Sequence, residues 1–215
     1  MEMLADNADV IGEAALTTLW LTLFSFAGSL VVGVLIASFR VSPVKPLEWF
    51  ATAFVSIFRN TPLLVVFFMF HFGLRRVGLD FGTGFRTAVA VMAMYTGAYM
   101  AEVIRSGINA VPPGQAEAGR AIGLPFTGLL ATVVIPQAVR TVIAPIGNLF
   151  AANAKNTSIA LTIGVVELTS AMRRLINQTA ETWAAIIGIA LIYTVVLLIA
   201  GQAFRLLEQR YAIKR

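Results

Sequence analysis

The chain is 215 residues long, 58% apolar and only 13% charged, with a net charge of +5. Soluble domains are about 25% charged, and a mean hydropathy of +0.83 is too apolar for a water-facing surface. A soluble enzyme, a disordered tail and a fibrous protein are therefore excluded. What remains is an all-α membrane protein in a single domain, 1–215, with room for about four to six spans of roughly 20 residues each. There is no Cys, which excludes disulfides, thiolate metal sites and Cys nucleophiles, and the lone histidine, His71, excludes a His-rich metal site.

Taken in chain order, the opening segment is acidic (Glu2, Asp6, Asp9, Glu13), the opposite of a secretory n-region, so no cleaved signal peptide is expected. Five spans are expected, at about 14–39, 61–74, 86–108, 126–155 and 182–206. The first is uncharged from Ala14 to Phe39, and Gly28 and Gly33, with Ala27 and Ser29, predict close helix–helix contact. The second is interrupted by Arg59-Asn60-Thr61-Pro62. Pro62 fixes its own φ and disfavours a helical Thr61, so a short helix, a break and then a span beginning near Pro62 are expected. Phe67, Phe68, Phe70 and Phe72 read as lipid-facing or packing residues, and His71 as a solvated anchor near the outer end. The third span runs on through Glu102 and Arg105, which share a helix face as an ion pair or as a gate or substrate contact. The fourth contains Pro125, Pro136 and Pro145 and reads as kinked or discontinuous, while the fifth is uncharged from Thr182 to Phe204. Trp20, Trp49 and Trp183 fall near span ends, the last two as interfacial anchors.

The tail (Arg205, Arg210, Lys214, Arg215) is basic and the head acidic, which places the C-terminus in the cytoplasm and the N-terminus outside. Arg75, Arg76, Arg173 and Arg174 run against that bias. The basic residues read as topology signals, and no nucleic-acid partner is expected. No internal repeat or low-complexity segment is visible.

Two constellations carry chemistry. Lys155 has no charged neighbour from Thr141 to Val166 and lies about 20 Å along a helix from Arg140. An ionisable group at that depth is a functional candidate. It holds a substrate carboxylate, with Asn156, Thr157 and Ser158 as hydrogen-bond partners, or it caps a broken helix, or it pairs with Glu167 or Glu102. Arg59, Asn60, Thr61 and Pro62 form the second. Irregular backbone inside a membrane is tolerated only against protein or a wet cavity, so the break either satisfies itself or lines a pathway.

The stretch from Pro112 to Pro136 holds a short helix over 113–123. Small residues (Ala116, Ala118, Gly119, Ala121) leave its backbone approachable, Gln115, Glu117 and Arg120 are polar, and Gly123 stops it. It reads as a docking knob or as an ordinary amphipathic loop helix. The segment Glu117-Ala118-Gly119, three residues, Gly123, nine residues, Val133-Val134-Ile135-Pro136 resembles the EAA loop of ABC-importer permeases. Gly119, Val133 and Ile135 are mild departures from the pattern. Phe58 to Leu64, Glu102 to Ile108, Pro136-Gln137-Ala138, and Lys155 to Ser158 followed by Glu167-Leu168 resemble permeases for polar amino acids of the histidine, arginine, glutamine and glutamate type. Val66 departs from this pattern, since many relatives carry Gln there.

The resemblance covers roughly Thr17 to Tyr211 and implies a type I ABC-importer permease fold in a bacterial cell membrane. It implies a dimer with a second, like or related, permease, two ATPase subunits docked on Gln115 to Gly123, and an extracytoplasmic amino acid-binding protein. The chain has no G-x-x-x-x-G-K-[ST] loop, so ATP and Mg are expected on the partner ATPase and no cofactor on this chain. Lys155, Arg75 and Arg86 lean the substrate toward glutamate or glutamine. A self-powered secondary transporter is the alternative, though inverted repeats and further spans are absent. An intramembrane Ser protease would need Ser106 and His71 together, at opposite ends of this topology.

Overall fold

The structure is a computed structural model that describes residues 2–211. All regular elements among these residues are helical: α1 (Glu2–Asp6), α2 (Ala8–Arg40), α3 (Lys45–Asn60), α4 (Leu63–Arg76), α5 (Gly84–Asn109), α6 (Pro113–Ala121), α7 (Phe126–Ile163), α8 (Leu168–Thr179) and α9 (Thr182–Tyr211). Helices α2, α5 and α7 are each long and apolar enough to cross a membrane, and the bent pair α3–α4 counts as a fourth when taken as one broken span. Helix α9 has 30 residues, about 45 Å at 1.5 Å per residue.

Three features bear on the expected spans. Helix α4 is only about 21 Å long, short of the roughly 30 Å hydrocarbon core, and it meets α3 at a bend of 110°. Of the two readings of the fourth span, the discontinuous one is set aside: α7 runs on for 38 residues. A π-helical turn at Leu130–Val134 precedes Pro136, and the helix continues through Pro145. It tightens to a 3₁₀ turn at Thr157–Ile163 and stops at Gly164, where φ is +82°. Helix α8 was not expected at all. It packs Leu168, Ala171 and Leu175 against Met3, Ile11, Ala14, Ala185 and Ile189, capping the N-terminal end of the bundle, and leaves Arg173 and Arg174 exposed.

The core is the parallel pair α2–α5, held together through small residues. A Cβ on Gly28 would lie 2.8 Å from the Ala93 Cβ, and one on Gly97 would lie 2.8 Å from the Val32 Cβ. In lipid, helices gain little from apolar burial and associate where small residues let their backbones approach, and Gly28 and Gly33 serve that expected role. The hydroxyls of Thr18, Thr22, Ser25 and Ser29 bond to their own helix carbonyls, which leaves them cheap to bury. Asn153 of α7 spans both helices. It accepts from the Thr96 hydroxyl at 2.9 Å and donates to Thr22 O at 3.2 Å and Ser25 Oγ at 2.9 Å. Val66 is sealed in the apolar cluster with Leu21, Phe67 and Val91.

Among the aromatics, Trp20, Trp49 and Trp183 are all exposed, and Trp20, twelve residues into α2, is stacked on Phe24. Phe67 is buried, while Phe68 and Phe72 are exposed. His71 is not solvated. It is buried in a π-helical turn, edge-on to Phe72, with Nδ1 lacking a partner.

Candidate translocation and docking sites

The α3–α4 corner follows from its sequence. Thr61 and Pro62 are both extended (ψ 132° and 135°), and the chain turns by 110° between the two helices. Pro62 O accepts from the amides of Val65 and Val66, and the Asn60 amide donates to Ser56 O, so the freed backbone is largely satisfied locally. The corner delivers Arg59 to α5. Its guanidinium stacks 5.3 Å from the Tyr99 ring centroid and stands 4.0 Å from Glu102.

Glu102 is the hub of the charges. The expected pair with Arg105 is present at 2.7 Å, and Arg40 from the end of α2 contacts the other carboxylate oxygen. Three guanidiniums thus surround one carboxylate, leaving a local surplus of positive charge, and the Arg105 Nε is buried without a hydrogen-bond partner. A hollow of about 330 Å³ opens here, walled by Arg40, Ser56, Arg59, Asn60, Tyr99 and Glu102. Tyr99 also walls a second hollow of about 270 Å³ with Tyr95, Thr96, Leu149 and Asn156. Tyr95, Tyr99 and Glu102 follow i, i+4, i+7 spacing, which sets them in one stripe along α5. The two tyrosines were missed from sequence, although their helical register with Glu102 was there to be read.

The Lys155 constellation comes apart. Lys155 is exposed and makes no ion pair with any described residue; Glu167 and Glu102 are both engaged elsewhere, which corrects either expected pairing. It borders an open hollow of about 410 Å³ with Ser158, Ala190, Tyr193 and Thr194, while its neighbour Asn156 faces the Tyr99 hollow. The hydroxyls of Thr157 and Ser158 donate to Ala154 O and Lys155 O. Glu167 is fully buried. It caps α8 by accepting from the Thr169 and Ser170 amides at 2.9 and 2.8 Å and takes the Tyr193 hydroxyl at 2.8 Å. These three side chains hold backbone in place and offer little to a solute.

At the far end of α7 stands α6. Pro112 and Pro113 start it, where a missing amide costs nothing. It ends on Gly123 at φ +82°, with Gly123 N–H bonding Arg120 O at 2.9 Å and Leu124 N–H bonding Gly119 O at 3.1 Å. That is a Schellman closure, and only glycine takes its left-handed position without strain. Gly119 is buried against Leu129, so α6 sits directly on the first turns of α7, and a Cβ at this position would lie 2.5 Å from Leu129 Cδ1. Gln115, Glu117, Ala118 and Arg120 are exposed and Ala116 is half-buried.

These features define a multi-pass helical membrane protein of the transport class, with a charged hollow at a broken span and a rigid helix carried at the end of another. The chain belongs to the family of binding-protein-dependent transport system inner membrane components, whose model matches residues 29–213. It is 35% identical to the probable glutamine ABC transporter permease protein GlnM of Bacillus subtilis, covering 98% of this chain and 97% of that one. It is 38% identical to the glutamate transport system permease protein GluC of Corynebacterium efficiens, covering 98% of each. Among solved structures, an amino acid ABC transporter crystallised with histidines superposes with a TM-score of 0.90 at 31% identity, covering 96% of both chains. The MetNI methionine ABC transporter superposes with a TM-score of 0.77 at 18% identity, which speaks to the fold alone. The fold is that of a type I ABC-importer permease, and the chain is the permease component of an amino acid ABC importer.

Proposed function

We propose that this chain forms the translocation pathway of an ATP-driven importer for glutamate or glutamine. The observation that carries the reading is the hollow at the α3–α4 corner, where Arg59, Asn60 and Glu102 meet the tyrosine stripe of α5. A zwitterion needs a cation for its carboxylate and an acceptor for its ammonium group. Arg59 offers the cation and the Asn60 side-chain carbonyl the acceptor, and the surplus of guanidinium around Glu102 favours a solute without added positive charge. In this reading Arg59, Asn60, Thr61, Pro62, Glu102 and Asn156 line the path with Tyr95 and Tyr99. Lys155 supplies a second cation from the α7–α9 hollow, and Thr157, Ser158 and Glu167 fix the backbone beneath it. The substrates in the names of GlnM and GluC support the substrate class.

Two ATPase subunits hold ATP and Mg, and this chain binds no cofactor. One of them receives Gln115, Ala116, Glu117, Ala118, Gly119, Arg120 and Gly123. Closure of the ATPases moves α6, the Gly119–Leu129 contact passes the motion to α7, and α7 carries it to the hollow. A second permease subunit completes the pore, and an extracytoplasmic binding protein delivers the amino acid. The N-terminus lies outside and the C-terminus in the cytoplasm, as the acidic head and basic tail indicate.

The test is uptake and ATPase stimulation by the reconstituted complex against a panel of amino acids. Glutamate or glutamine is expected to stimulate both. Uptake driven by an ion gradient without ATP, or a response to sugars or peptides alone, overturns the reading.

A further inference from the structure

The docking surface of α6 continues past its glycine stop. Ile122 is 79% exposed and Phe126 71% exposed, whereas Leu124 between them tucks under Gly119 and Gly128. Gly123 and Pro125 pin the backbone on either side of that turn, so two large apolar side chains are held outward on a rigid frame. Isolated exposed apolar residues need no explanation, and on the membrane spans lipid would cover such a pair. Here depth excludes lipid. Gly107, near the end of α5, packs on Ala138 and Val142 of α7. From Ala138 to Phe126 the helix runs on for about 18 Å, or about 14 Å along the membrane normal even at a 40° tilt. The headgroup layer beyond the hydrocarbon core is only about 6 Å thick on each side. The pair therefore stands in water, continuous with the helix assigned above to the ATPase.

We propose that Ile122 and Phe126 are the apolar anchors of the ATPase interface, entering an apolar-lined cleft on that subunit, with the charges of Glu117 and Arg120 at the rim. Rigid apolar and aromatic side chains at the centre of an interface dominate its energy, whereas rim charges contribute little. Pre-organisation by Gly123 and Pro125 lowers the cost of ordering the turn on binding. This rests on the reading of α6 as the docking helix.

The experiment measures retention of the ATPase subunit that co-purifies with the wild-type chain, by titration in detergent. Ile122→Ser and Phe126→Ser are each expected to weaken binding at least tenfold, while Glu117→Gln and Arg120→Gln each weaken it less than threefold. Thermal unfolding of the isolated permease is expected to be unchanged in the serine variants, because both side chains are already exposed. Wild-type affinity in the serine double variant, together with loss in the charge variants, overturns the anchor proposal and leaves the docking helix standing. Full retention in Ala118→Trp, in the middle of the exposed face, overturns both. A Phe126→Trp variant in vesicles adds a direct reading of depth. Its indole emission is expected to be insensitive to brominated lipid, and quenching overturns the proposal.

Discussion

The polar groups packed between the helices of this protein fall into two regions that obey opposite rules. Around Asn153 and Glu167 donors and acceptors are matched: the Asn153 amide, the Thr96 hydroxyl, the Glu167 carboxylate and the Tyr193 hydroxyl all find partners from another helix or a cap. Around Glu102 the charges are unbalanced, the side chains are half-exposed, and a hollow stands open beside them. Both regions are expensive in lipid, yet only the second has anything left to offer a solute. A polar residue in a span is a pathway candidate when its bonding capacity is unspent, and a structural lock when it is spent.

The sharpest way to break this contrast is Asn153→Leu. Its three interhelical bonds, at roughly 0.6 kcal/mol each in membrane proteins, amount to about 2 kcal/mol. Thermal unfolding in detergent is expected to fall by about 4–8 °C for a chain of this size, while uptake per folded molecule stays within about twofold of wild type. A large loss of uptake at unchanged stability would move Asn153 into the pathway.

The mirror experiment is Arg59→Gln. Arg59 is 43% exposed at the side chain, and Glu102 keeps Arg40 and Arg105. A partly exposed ion pair contributes at most about 1 kcal/mol, so the melting temperature is expected to shift by no more than about 4 °C. Uptake is expected to fall about tenfold, equivalent to about 1.4 kcal/mol of lost transition-state stabilisation. If stability falls and transport survives, the hollow is a lock and the contrast between the regions fails.

Much of both regions was invisible in the sequence, and the reason is geometric. Helical periodicity shows which residues share a face and says nothing about which helix lies opposite. Glu102–Arg105 was legible because both residues sit on α5, whereas Arg40 joins them from a different helix. The Pro62 break, the Gly123 stop and the Gly28–Gly33 contact face were legible because proline and glycine act on local backbone. Helix α8 was hidden, because a short amphipathic helix carrying Arg173 and Arg174 has no span-length apolar signal. Lys155 and Asn156 are adjacent in the sequence, and the helix sends their side chains to different hollows.

Tyr99 sharpens the comparison further, because it walls both hollows. Its ring meets the Arg59 guanidinium, while its hydroxyl makes a long 3.4 Å bond to Arg59 O. A cation–π contact at a partly exposed site is worth about 0.5–1 kcal/mol. Tyr99→Leu is therefore expected to lower uptake about two- to fivefold, and Tyr99→Phe less than twofold. Equal losses in the two variants would assign the role to the hydroxyl rather than to the ring.

The smallest effect lies outside both regions, in the loop between α4 and α5. The Asp80 carboxylate accepts from the Gly82 amide at 2.7 Å and from the Arg75 Nε at 2.9 Å. The amide bond first, and then the guanidinium, hold its pKa below the usual 3.8. A carboxyl whose folded pKa is depressed contributes its tether above the unfolded value and loses it as pH falls through the lowered one. The loop is therefore expected to stay ordered at neutral pH and to loosen only below about pH 4, with amide exchange at Gly82 accelerating over that range. Asp80→Asn removes the acid limb, and exchange at Gly82 is expected to become independent of Asp80 titration. Because the group is fully exposed, uptake at neutral pH is expected to change by less than twofold in this variant. A larger loss would tie the loop to the hollow through Arg75, which also donates to Gly82 O, and would extend the functional region to the α4–α5 loop.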